Sequence, residues 1–106
     1  MKIRELKIFR TVCDKGSMSE AARALYMSQP AISQTISDLE NKLDTKLFDR
    51  LNNKLVLTFA GENLLQYSKR ILLLIDEAQN TLNDLNNMEK GRLRIGASMT
   101  IGTYLL

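Results

Sequence analysis

A single proline and five glycines in 106 residues leave this chain with long stretches that no backbone breaker interrupts. Aromatic residues make up only 6%, so side chains that favour a pleated sheet are scarce too. Both facts point to helices rather than a strand-and-turn fold. The apolar periodicity then divides the chain. Ile3, Leu6, Phe9, Val12 and Cys13 recur at helical spacing, with Lys2, Arg4, Lys7 and Arg10 on other faces. A first helix is expected from about residue 2 to 15, stopped by Gly16. Ser17 and Glu20 follow with the spacing of a capping box. The hydroxyl would accept from the Glu20 N–H while the carboxylate reaches back.

A short second helix is expected over 18–25, with Ala21, Ala22 and Leu25 toward the core and room for another helix to approach. After Tyr26-Met27, Ser28 reads as the N-cap of a third helix that runs to about Leu43. Pro30 fits its first turn, where an N–H has no partner in any case. Ile32, Ile36, Leu39 and Leu43 form its apolar stripe. Ala31, Ser33, Gln34 and Ser37 lie away from that stripe, and Gln29 opens the helix. Two short strands are expected next, over 46–50 and 55–57, joined by Leu51-Asn52-Asn53-Lys54, where Asn tolerates left-handed backbone.

Thr58 then caps a long helix expected over 59–88, in which Gly61 is tolerable because it lies near an end. Leu64, Tyr67, Ile71, Leu74, Ala78, Thr81, Leu85 and Met88 fall at alternating steps of three and four, the spacing of a coiled-coil seam. Leu65, Leu72, Ile75 and Leu82 broaden it. Thirty residues at about 1.5 Å each make a rod of roughly 45 Å, too long for a 58-residue domain to cover, so a second chain is expected. Asn86 to Gly91 reads as a hinge and Arg92-Leu93-Arg94-Ile95-Gly96 as a strand. The organisation is therefore a domain over 1–58, a pairing helix over 59–88, and an opening stretch over 89–106.

Composition excludes several kinds of chemistry. There is no histidine and only one cysteine, so a metal site, a catalytic triad or an internal disulfide lacks its parts. No catalytic residue, metal or cofactor is expected, and Cys13 reads as a small core residue. The longest apolar run, Ile71-Leu72-Leu73-Leu74-Ile75, is far short of a bilayer span. With a first stretch that does not read as a signal peptide, a soluble, cytoplasmic protein is expected. The net charge of +3 is unevenly placed. Residues 1–58 hold ten Lys or Arg against seven Asp or Glu, whereas 59–106 hold five of each. The excess lies where a polyanion would dock.

A short helix, a tight turn and a helix that opens with exposed polar residues is helix-turn-helix order, whose second helix enters the DNA major groove. Gln29 and Gln34 suit base reading, since an amide can pair with adenine N6 and N7. Ser28, Ser33 and Ser37 suit phosphate contact, and Ala31 permits close approach. The hairpin forms a wing, with Arg50 and Lys54 placed for a phosphate or the neighbouring minor groove. Each residue has a plainer role as cap, solvated face or strand-edge guard. The conjunction of order, spacing and charge is what favours DNA.

Ser17-Met18-Ser19-Glu20-Ala21-Ala22-Arg23-Ala24-Leu25, followed by Ser28-Gln29-Pro30-Ala31-Ile32-Ser33, Ile36 and Leu39-Glu40, closely resembles the LysR-type transcriptional regulators. Leu47-Phe48-Asp49-Arg50, Leu57-Thr58 and Ala60-Gly61-Glu62 continue the resemblance into the long helix. The resemblance implies a mainly α fold: a winged helix-turn-helix with a two-stranded wing and a long C-terminal dimerisation helix. It implies DNA contact by Ser28, Gln29, Pro30, Ala31, Ser33, Gln34, Ser37, Arg50, Asn53 and Lys54. Pairing would use Leu64, Tyr67, Ile71, Leu74, Ile75, Ala78, Leu82 and Leu85. Residues 89–106 would be a hinge and the truncated start of an effector-binding domain, with Ser98 and Thr100 near an inducer. The implied partners are double-stranded DNA, a second copy of the chain (a homodimer, with dimer or tetramer left open for the full-length protein) and, with the remaining domain, a small-molecule inducer.

Two positions depart from the family's pattern, since Asn53 and Gln34 stand where members commonly carry a cation. Fewer neutralised phosphates and a shallower salt dependence are expected, the slope falling by about 0.9 for each phosphate left without a cation. Two other classes compete with this reading. A coiled-coil interaction module would dispense with the polar face of the third helix. A nucleotide-using enzyme would rest on Gly96-Ala97-Ser98-Met99-Thr100-Ile101-Gly102, which lacks the spacing of either common phosphate-binding loop.

Overall fold

Helix α1 (Ile3–Lys15) ends at Gly16, whose φ of 73° is the left-handed conformation that a residue without Cβ adopts freely. The Gly16 N–H donates to the Val12 carbonyl at 2.9 Å. Ser17 then starts α2 (Met18–Leu25), its hydroxyl accepting from the Glu20 N–H at 3.0 Å. The reciprocal half of the expected capping box is not made. Arg23, one turn on, holds the Glu20 carboxylate at 3.3 Å, and an ion pair competes well with a bond back to Ser17. The corresponding bond occurs at α1 instead, where Lys2 N–H donates to Glu5 Oε1 at 2.7 Å.

The computed structural model describes residues 1–95, with side chains as far as Gly91. After a turn at Tyr26 and Met27 come α3 (Gln29–Leu43), β1 (Phe48–Leu51), β2 (Lys54–Leu57) and α4 (Phe59–Ile95). Helices α1, α2 and α3 enclose a core in which Phe9, Val12, Ala21, Ile32 and Leu39 are completely buried. Ala21 and Ala22 keep α2 close to its neighbours, because a methyl is all that separates the backbones there. Leu43, expected in the same stripe, is exposed: it is the last residue of α3, which is capped at Asp44 beyond the reach of the core. Cys13 packs against the core, half-buried. Burial, with Asp14 adding to it, pushes its thiol up to about 12, so it stays protonated and unreactive.

The hairpin is tighter than expected. Asn52 and Asn53, at φ 53° and 60°, make a two-residue turn of the left-handed kind that matches strand twist. Pairing therefore runs to the tip, Leu51 opposite Lys54 and Phe48 opposite Leu57. Residues 46 and 47, expected in the strand, stay outside it, because the Leu47 N–H is taken by the Glu40 carboxylate rather than by a neighbouring strand.

Helix α4 also departs from expectation, continuing through the anticipated hinge and through residues 92–95. A strand needs a neighbour to complete its hydrogen bonds, and among the described residues the only sheet is the closed pair β1–β2. A helix completes its bonds within itself. The chain divides into two compact units, Met1–Leu73 and the residues from Leu74 onward. No helix among the described residues is long and apolar enough to cross a membrane.

Candidate nucleic-acid interface

Helix α3 presents its first turns to solvent. Ser28 accepts from the Ala31 N–H at 3.2 Å through Oγ, which leaves its hydroxyl proton for an outside acceptor. Gln29 and Pro30 are exposed, Ala31 is half-buried, and Gln34 and Ser37 are exposed. Gln34 lies on the side of α3 opposite Ile32, Ile36 and Leu39, with its Nε2 donating to Asp38 Oδ1 at 2.8 Å. Ser33 differs from its expected role. It is half-buried and donates to the Met18 sulfur at 3.1 Å, so it also pins α2 to α3.

The wing is placed by contacts that spacing alone does not reveal. Glu40 Oε2 accepts from Leu47 N–H at 2.7 Å and Phe48 N–H at 3.4 Å, tying the body of α3 to the base of β1. The Phe48 ring stacks obliquely on Phe9, centroids 5.4 Å apart. Thr58 closes the other strand, its Oγ1 donating to Lys46 O at 2.6 Å and accepting from Gly61 N–H at 3.0 Å. Gly61 is more than tolerable: it is buried, and a Cβ there would overlap the Leu47 carbonyl oxygen and stand 2.8 Å from Leu57 Cδ2. Glu5 anchors the opposite end of α3, taking Lys42 Nζ at 2.9 Å. That bond, then the one from Lys2 N–H, holds its carboxyl below the usual carboxylate range despite burial.

These ties bring Gln29, Arg50, Asn53 and Lys54 around one cleft of about 460 Å³. Ser17 and Ser19, at the start of α2, line the same cleft and were not among the expected site residues. The signal that could have found them is the Ser-x-Ser pair at a helix N-terminus, where N–H groups favour an anion. Neither Arg50 nor Lys54 is ion-paired among the described residues, so both cations are available. Ser37 stands apart, beside Asn41, Asp44 and Lys46 toward the other end of α3.

The expected pairing positions on α4 split into two groups. Leu64 packs against the core of its own chain, and Ile71, Ile75 and Leu85 are half-buried. Tyr67, Leu74, Ala78 and Leu82 are exposed. The Arg70 guanidinium lies over the Tyr67 ring at 5.4 Å. Ser98 and Thr100 lie outside the described residues.

Comparison with known proteins bears on this surface. A family model described as "Bacterial regulatory helix-turn-helix protein, lysR family" matches residues 3–62. A probable RuBisCO transcriptional regulator of Porphyra purpurea is 49% identical over 102 residues, covering 96% of this chain and 32% of the relative. One from Thalassiosira pseudonana is 46% identical over 104 residues, covering 98% and 34%. The chain thus spans about a third of the length of these curated relatives. Among solved structures, the CbnR DNA-binding domain in complex with DNA superposes with a TM-score of 0.76 at 34% identity, over 81% of this chain and 99% of that one. The BenM DNA-binding domain on catB site 1 DNA gives 0.78 at 28% identity, over 81% and 97%.

Proposed function

Since this chain belongs to the lysR family of bacterial regulatory helix-turn-helix proteins, we propose that it is the operator-reading end of a transcription regulator. Its fold is the winged helix of such DNA-binding domains, and the family regulates transcription rather than catalysing a reaction. The observation that carries the proposal is the shared surface of α3, the start of α2 and the hairpin, with Gln29 beside two unpaired cations. In the proposed complex, the opening turns of α3 enter the major groove of duplex DNA, where the Gln29 amide reads a base edge. Ser17, Ser19 and Ser28 donate to phosphates, while Arg50, Asn53 and Lys54 follow the backbone into the adjacent minor groove. Two copies pair through Tyr67, Leu74, Ala78 and Leu82 of α4, and that pairing sets the distance between half-sites. The protein works in the cytoplasm, where its operator is.

Fluorescence anisotropy with a labelled duplex from upstream of its own gene, across a salt series, tests this directly. Saturable binding that exceeds binding to a scrambled duplex is expected. Lys54→Ala is expected to weaken binding to all sequences alike and to flatten the salt slope by about one. Gln29→Ala is expected to relax base preference with little change in that slope. If both variants bind as the parent does, the reading surface is wrongly assigned.

A further inference from the structure

Gln34 lies on the outward side of α3, and a second side chain holds its own in place. The holder is Asp38, one turn on. A carboxylate offers acceptors only, so the Gln34 amide must turn its nitrogen to Asp38, and the bond of 2.8 Å is the result. The carbonyl oxygen of the same amide then faces away, and Oε1 has no partner among the described residues. An unrestrained glutamine can flip and greet either a donor or an acceptor. This one is biased toward presenting an acceptor.

Resting on the operator-reading function above, we infer that Asp38 is a positioning residue which makes Gln34 select an exocyclic amino group in the major groove. On the contacted strand those groups are adenine N6 and cytosine N4. Guanine and thymine present O6 and O4 there, which would meet the Gln34 oxygen as like to like. The chain therefore favours A or C over G or T at one position of each half-site. Asp38 sets that preference without touching the base.

Selection of the full chain on a random duplex pool, followed by sequencing, reads this directly. The parent is expected to enrich A or C by about fivefold at one position, the scale of a single base-edge contact. Asn at position 38 can donate or accept, so Gln34 becomes free to flip. Asp38→Asn is expected to flatten that position alone, with other positions and the melting temperature unchanged. Gln34→Glu, an obligate acceptor, keeps the A or C preference even if binding weakens overall. Gln34→Arg, an obligate donor, reverses it toward G. A parent that selects a clear site but shows the same profile as Asp38→Asn at every position overturns this inference and leaves the operator-reading function standing. A parent that enriches no sequence overturns both.

Discussion

In the unit Met1–Leu73, Leu6, Leu39 and Leu47 keep at most 3% of their surface exposed, whereas further along α4 Leu74 and Leu82 keep 62% and 65%. The same side chain is used in two ways. In the head, three short helices and a hairpin enclose it from several sides, and each buried leucine gains roughly 2 kcal/mol from leaving water. From Leu74 onward, α4 is the only element among the described residues of its unit, and none of those lies over its apolar side. Exposed leucines on a long helix fit the proposed pairing surface, Leu74 falling in the seam expected from sequence spacing and Leu82 beside it. On the proposed pairing, stability is expected to reside in the head and association in the helix beyond it.

The contrast can be broken most forcefully at Phe9, which is wholly buried and meets Phe48. Phe9→Ala is expected to cost about 3–5 kcal/mol in urea denaturation and to loosen the wing as well. A loss under about 1 kcal/mol would mean that the head is not the seat of stability. Next in size is Gly61→Ala. Its methyl would push against the Leu47 carbonyl, a backbone atom that cannot swing aside, so about 2–3 kcal/mol is expected.

The helix beyond the head is expected to behave differently. Leu74→Gln combined with Leu82→Gln should weaken self-association at least about tenfold in analytical ultracentrifugation, by exposing amides where apolar surfaces would meet. Hydrogen exchange of the core amides in α1 and α3 should change by less than about 0.5 kcal/mol. An unchanged association constant would move the pairing surface to another face. The smallest effect is at Glu5. Because its pKa is lowered in the folded state, its contribution is present above the unfolded carboxylate value and is lost as pH falls through the folded one. Glu5→Gln is expected to cost about 1 kcal/mol at pH 7, with parent and variant converging below about pH 4. Parallel stability curves across that range would show that the bond to Lys42 contributes nothing.

Much of the fold is legible in local chemistry. Gly16, Ser17, Ser28 and Thr58 mark helix boundaries because capping is decided by a residue and its neighbours within about four positions. The apolar stripes of α1 and α3 are likewise visible, as are Gln29 at the start of a helix and Arg50 and Lys54 flanking the hairpin tip. Less visible is that Ser33 turns inward to Met18, fifteen residues away, or that Ser17 and Ser19 share a cleft with Lys54. The strand expected over 92–96 misled for a related reason. Alternating apolar residues describe a strand only if a sheet is present to receive it, and helical hydrogen bonds need no such partner.

By itself, then, the amino-acid order determined the family's helix-turn-helix, its caps, its turn and the long apolar seam, since each follows from neighbours within about one helical turn. The tertiary structure alone decided where the wing stands relative to α3. That placement rests on Glu40 meeting the Leu47 and Phe48 N–H groups, Phe48 meeting Phe9, and Gly61 passing under the Leu47 carbonyl. These partners are seven to thirty-nine residues apart along the chain. Contacts at such separations exist only after the core has closed, so no local rule of spacing or capping can announce them.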